Sequence, residues 1–148
     1  MMQRSDIVKA GSLHLKRIYE LECECIAGGW SEKALEEELG KPGSVILAAV
    51  CDGETVGFLN GSYVLDEAEL LNIAVCPQKR RLGIAGMLIR TFEEELLKLG
   101  AVTIYLEVRE SNIPAQVLYK KCGFERNGLR KNYYRDPQEN AVLMMKKL

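Results

Sequence analysis

Across residues 72–108 the chain lays down an apolar strand, a basic turn, a long helix and a second apolar strand in immediate succession. That order leaves few folds open, because a strand, a helix and a strand in sequence imply a parallel crossover. The turn reads Pro77-Gln78-Lys79-Arg80-Arg81-Leu82-Gly83-Ile84-Ala85-Gly86. The helix is expected to open at about Leu82 and to continue to Leu99, with Gly100 as its stop. Ala85, Leu88, Phe92, Leu96 and Leu99 form its apolar stripe, with Glu94 and Lys98 paired on the wet side.

Lys79, Arg80 and Arg81 stand against the positive end of the helix dipole, where each costs a few tenths to about 1 kcal/mol. A bound anion reverses the sign of that cost. Gly83, Ala85 and Gly86 keep bulk away from the first-turn N–H groups, which have no intrahelical partner. The turn therefore reads as a pyrophosphate cradle, against the plainer reading of a solvated basic helix start. No Gly-Lys-Ser/Thr follows Gly83, and the glycine spacing is not that of a dinucleotide fold.

The rest of the chain supplies the sheet. Residues 6–10 are a first strand, and Ser12 is placed to cap a helix ending near Ile26. After Gly28-Gly29 comes Trp30, the sole tryptophan, then a Ser31-capped short helix over 32–39. Strands follow at 44–51, 55–65 and 68–75, the first two joined by Asp52-Gly53, a strong hairpin signal. Beyond the long helix lie a strand at 101–108, an Asn112-capped helix to Lys121, and a final pair at 124–134 and 141–146. The expectation is an α/β (α+β) chain, one domain over 1–148, whose mixed sheet of six to seven strands is flanked by about four helices.

Composition excludes several classes. The formal net charge is −1, so no bulk basic field points to nucleic acid. No apolar run approaches the ~18 residues of a membrane span, and the N-terminal residues lack a signal core. A cytoplasmic protein is expected. The five cysteines are odd in number and fit no zinc spacing, so no metal is expected.

Four positions carry possible chemistry, each beside a plainer explanation. Glu107 lies on the polar face of its strand, where it is either a solvated partner of Arg109 or a general base. Asn112 is an N-cap whose amide can also donate to a ligand. Tyr119 shares a packing stripe with Ala115, Leu118 and Cys122. Trp30 is either a core anchor or the wall of a groove.

Five ordered stretches decide between these. They are Leu71-Asn72-Ile73-Ala74-Val75, the basic Gly83 turn, Leu106-Glu107-Val108-Arg109-x-Ser111-Asn112, Ala115-x-x-Leu118-Tyr119-x-x-x-Gly123-Phe124 and Arg130-x-Asn132-Tyr133-Tyr134. Together they resemble the ribosomal-protein-alanine N-acetyltransferases of the GCN5-related superfamily, over nearly the whole chain. The resemblance implies that superfamily's fold, with acetyl-CoA as cosubstrate and a protein N-terminus as acceptor, most simply that of a ribosomal protein. It makes Glu107 the proton acceptor and Tyr119 the proton donor. It gives acetyl-CoA the backbone of Ile73, Ala74 and Val75, the phosphate turn of Arg81, Leu82, Gly83, Ile84, Ala85 and Gly86, and a contact from Asn112. Trp30, Tyr133 and Tyr134 would line the acceptor groove. Gly29 departs from the proline common before that tryptophan, which implies a looser loop.

The chemistry agrees. A peptide α-amine has a pKa of about 7.7–8.0 and must lose a proton before attack. Glu107 can take it, and a phenol can protonate the departing thiolate. Cys122 offers a covalent alternative. An acetyltransferase for a small amine or lysine side chain remains a rival, as does a non-catalytic acyl-CoA sensor, which would need neither Glu107 nor Tyr119. Glu32, Glu36, Glu37 and Glu38, directly after Trp30, are expected to flank the groove and steer a basic acceptor, unless they are only a solvated helix face.

Overall fold

A computed structural model describes residues 5–26 and 29–148. Its strands are β1 (Ser5–Lys9), β2 (Ser44–Cys51), β3 (Glu54–Val64), β4 (Glu67–Val75), β5 (Thr103–Arg109), β6 (Glu125–Tyr134) and β7 (Glu139–Lys147). Its α-helices are α1 (Leu15–Cys25), α2 (Glu32–Leu39), α3 (Ile84–Lys98) and α4 (Ile113–Lys121). The seven strands form one sheet in the order β1-β2-β3-β4-β5-β7-β6. Only β4 and β5, joined through α3, run parallel. The expected α/β class, strand number and helix number hold.

Helices cover both faces of the sheet. Asn60 of β3 reaches Glu22 of α1, whereas a side chain at the next residue, Gly61, would run into the Phe92 ring of α3. Successive strand residues point to opposite faces, so α1 and α3 lie on opposite sides. Two-sided cover explains why Val45 to Ala49 of β2 are buried without alternation, as in strands enclosed on both faces. Lys146 of β7 ties the second layer together, donating to Glu93 Oε1 of α3 at 2.8 Å and to the Cys122 carbonyl after α4 at 2.6 Å.

Local chemistry sets the element ends. Ser31 Oγ accepts from Ala34 N–H at 3.1 Å, as expected of an N-cap. Gly100, at φ +88°, closes α3: its N–H bonds Leu97 O and that of Ala101 bonds Leu96 O, a Schellman pair. Three expectations need correction. At the first helix the acceptor is His14 Nδ1, which takes the Gly11 N–H at 2.9 Å, and not Ser12. Lys98 pairs with Glu95 at 3.6 Å instead of Glu94, one residue nearer along the same surface. The long helix begins at Ile84, not Leu82, because Arg81 and Gly83 take left-handed φ of +65° and +78°. Among the described residues no helix is long and apolar enough to cross a membrane. The joint placed before Trp30 lies partly outside the described residues, at Gly28.

Candidate active site

The two parallel strands pair only from Glu67 with Thr103 to Leu70 with Leu106. The cause of the separation is written into β4. Asn60 faces Asn72 and Gly61 faces Leu70, leaving Leu71 as an extra residue against β3. A bulge of this kind bends its strand and increases local twist. Beyond it β4 stays with β3 while β5 stays with β7. The gap is a cleft of about 1080 Å³, and from Leu71 onward the β4 edge has no strand beside it. Unpaired backbone groups there are available to an extended, amide-bearing ligand.

The second feature is the start of α3. Gly83 makes no side-chain cap, and the first intrahelical bond runs from Met87 N–H to Gly83 O. The N–H groups ahead of it are open acceptor-seeking donors at the positive end of a helix of 15 residues. A Cβ added at Gly83 or Gly86 would meet nothing within 4 Å, so the turn has room for a phosphate. Ile84 is buried and can offer only its backbone, while Leu82 is exposed. Arg80, one of the three cations expected to face an anion at the turn, folds back instead: its Nε donates to the Val75 carbonyl at 3.1 Å and its Nη2 to Cys25 Sγ at 3.6 Å. It fixes the last carbonyl of β4. Ile73 lines the cleft, whereas Ala74 and Val75 are buried at the strand end.

Glu107, Asn112, Tyr119, Tyr133, Tyr134 and Trp30 all line the same cleft. Glu107 is not paired with Arg109. Its Oε1 lies 3.3 Å from Arg130 Nη1, and its carboxylate raises the neighbouring Tyr133 phenol above its usual range. Arg109 is held elsewhere, 3.3 Å from Glu139 Oε1 and 4.4 Å over the Tyr134 ring. Residues on one face of one strand pointed to a local pair. A bulge in β6 overrides it: Arg130 faces Ala141 and Tyr134 faces Glu139, with Asn132 at φ +53° between them. The extra residues carry Tyr133 back over β7 toward β5.

Tyr119 is buried, 6% exposed, with its ring edge-on to Phe124 at 5.9 Å. Burial first, then Tyr134 and Cys122, push its pKa well above the ordinary phenol value. Burial and Glu107 likewise push Tyr134 up to about 12. Asn112 Oδ1 accepts Ala115 N–H at 3.2 Å, so the side-chain oxygen is committed as an N-cap while its amide N–H groups are free to donate. Cys122 does not line the cleft, and burial and Glu93 push its thiol up. A nucleophilic cysteine needs the opposite environment, so the covalent route loses its residue. None of the acids of α2 lines the cleft either; α2 packs on α1 and β2. The carboxylates that do line it are Glu69 and Glu107.

Sequence reasoning missed Glu22 as well. Its carboxylate is buried on α1, where it accepts the Trp30 N–H. The available signal was a glutamate on the same helix face as Leu15 and Ile18.

A model of the acetyltransferase (GNAT) family matches residues 15–124. The ribosomal protein bS18-alanine N-acetyltransferase of Haemophilus influenzae is 38% identical over 132 residues, 87% of this chain and 89% of that protein. The Escherichia coli protein of the same name is 37% identical over 132 residues, 88% of each. The crystal structure of the ribosomal-protein-S18-alanine N-acetyltransferase from Escherichia coli superposes with a TM-score of 0.88 at 34% identity, covering 97% of this chain and 94% of that one.

Proposed function

The chain belongs to the acetyltransferase (GNAT) family and is an N-acetyltransferase that uses acetyl-CoA; from that premise we propose that it acetylates the N-terminal alanine of a small-subunit ribosomal protein. The observation that carries this reading is the cleft between β4 and β5. It sets the bare β4 edge from Leu71 to Ile73 against Glu107 and two exposed or half-buried tyrosines, and the open start of α3 follows the end of β4 along the chain, outside the cleft lining. The relatives named for bS18-alanine acetylation support the acceptor.

The donor half fits acetyl-CoA on this chain's own features: first-turn N–H groups with no cap, Arg81 beside them, and space where Gly83 and Gly86 have no Cβ. Bound there, acetyl-CoA supplies the activated acetyl thioester. The backbone of Ile73, Ala74 and Val75 aligns the amide-bearing arm, the turn from Arg81 to Gly86 holds the phosphates, and the Asn112 amide donates to the cofactor.

Glu107 is the proton acceptor for the acceptor's α-amine. Arg130 holds its carboxylate in place at the cleft surface, beside the Tyr133 phenol. Tyr119, a phenol protonated at neutral pH even at its ordinary value of about 10 and set in the cleft wall, gives its proton to the leaving thiolate. Trp30, Tyr133 and Tyr134 bound the path of the acceptor chain. Direct transfer within a ternary complex needs no protein nucleophile.

The test is incubation with acetyl-CoA and a panel of Ala-, Ser-, Met- and Gly-initiated peptides, free lysine and a polyamine, with products identified by mass. Acetylation at the α-amine of Ala-initiated peptides is expected. Faster acetylation of lysine or the polyamine than of every peptide would move the chain to the small-amine class.

A further inference from the structure

Trp30 stands at the acceptor side of the cleft, and a carboxylate on the helix behind it holds its backbone. Glu22 is 1% exposed. Its Oε2 accepts the Trp30 N–H. Its Oε1 accepts from Asn60 Nδ2 of β3 at 3.2 Å and from Asn72 Nδ2 of β4 at 3.4 Å. Asn72 lies between the Leu71 bulge and Ile73, on the open strand edge. One buried group thus touches both halves of the cleft.

The neighbourhood is shaped around that carboxylate. A Cβ at Gly29 would sit 2.6 Å from Glu22 Oε2 and 3.3 Å from Glu22 Cβ. Any side chain at this position requires the Glu22 oxygen that reaches Trp30 to shift, and glycine leaves that space open. Asn60 Oδ1 is buried without a partner, so the amides are turned to serve the carboxylate and not their own saturation. Burying a carboxylate is unfavourable, and an apolar side chain would serve packing better.

We propose that Glu22 is a positioning residue that sets the acceptor loop at Trp30 against the cofactor edge of β4, with Gly29 keeping clear the space its carboxylate occupies. The proposal rests on the acceptor cleft assigned above, and it extends that assignment to a group that never touches substrate.

The chain has one tryptophan, so its emission and acrylamide quenching report position 30 whatever the acceptor. In Gly29→Ala and Glu22→Ala, quenching of Trp30 should rise. KM for an Ala-initiated peptide should rise about tenfold or more, as expected for losing a charged hydrogen bond. The kcat at saturation and the acetyl-CoA Kd should stay within about twofold. The Gly29→Ala/Glu22→Ala double variant should be no worse than Glu22→Ala, because the alanine methyl then has nothing to displace.

Position 29 is exposed, so Gly29→Ala carries the test even if Glu22→Ala fails to fold. Unchanged quenching and KM in folded Gly29→Ala overturn the proposal. So do additive losses in the double variant, or a fall in kcat with KM unmoved, the signature of a smaller folded fraction. Should the wild type acetylate no peptide, the acceptor reading falls, while the quenching cycle still decides the role of Glu22.

Discussion

Tyr119 and Glu22 are both buried and both have raised pKa values, yet the consequences differ. For Tyr119 burial only tightens the hold on a proton that a phenol already keeps at neutral pH, and the proposed donor role has a direct test. Tyr119→Phe should lower kcat by roughly 10²–10⁴, the usual worth of a general acid, with acetyl-CoA affinity by calorimetry unchanged. Full turnover in that variant, where chemistry limits the rate, removes the role. For Glu22 burial raises the pKa above the ordinary 4.5, against the Trp30 and Asn72 hydrogen bonds that lower it. The folded chain then binds this proton more tightly than the unfolded one. Its contribution to stability is full below the unfolded value and is lost as pH rises through the folded value. Against Glu22→Gln, which does not titrate, the wild-type Tm should therefore decline from about pH 4.5 upward and then level off. A difference that stays flat over that range contradicts the raised value. Tyr119 and Glu107 were legible because their helix and strand spacings sit inside long ordered motifs. Glu22 was not. Its place on the face of Leu15 and Ile18 hints at burial, but its role shows only when the register of β3 against β4 brings Asn60 and Asn72 to it.

At the scale of elements, the site depends on two departures from regular structure: the Leu71 bulge and the left-handed residues Arg81 and Gly83. The strand–turn–helix–strand order was readable because hydrophobic period and glycine stops survive in the sequence. The bulge was not, since an inserted residue leaves the apolar run of β4 looking continuous. The delayed helix start was hidden for a related reason: positive φ at Arg81 leaves no compositional trace. The helix start makes a direct prediction. A ligand at 100-fold its Kd stabilises the native state by about 2.7 kcal/mol, visible as a rise in Tm. Gly83→Asp places a carboxylate beside the open N–H groups and a Cβ at φ +78°. It should abolish the acetyl-CoA-induced rise. Gly83→Ala carries the backbone penalty alone, on the order of 1–2 kcal/mol, and should lower the unliganded Tm while keeping part of the ligand effect. An equal acetyl-CoA shift in wild type and Gly83→Asp would remove the phosphate from this turn.

Over the whole molecule the net charge of −1 conceals an uneven arrangement. Around the acceptor half, Glu107 is matched by Arg130 and Arg109 by Glu139. Glu69, on β4 opposite Tyr105, forms no ion pair among the described residues, yet it lies close enough to help raise the Tyr133 hydroxyl. The acids of α2 looked like the steering charges because they follow Trp30 in sequence. The chain turns at Ser31 and carries them toward β2 instead, with Glu38 bound to Lys41 at 2.9 Å. No local pattern reveals which of two acidic stretches a cleft will face; sheet order decides it. The charge series follows from this placement. Glu69→Gln should raise KM for an Ala-initiated peptide bearing cationic side chains, and barely change it for a neutral one. The effect should shrink as the Debye length falls from about 30 Å at 0.01 M salt to about 8 Å at 0.15 M. Glu36→Lys with Glu37→Lys should leave both values where they were. If the α2 pair moves KM with the stronger salt dependence and Glu69→Gln does not, the field is set by the helix, and the acceptor enters from the α2 side of the sheet.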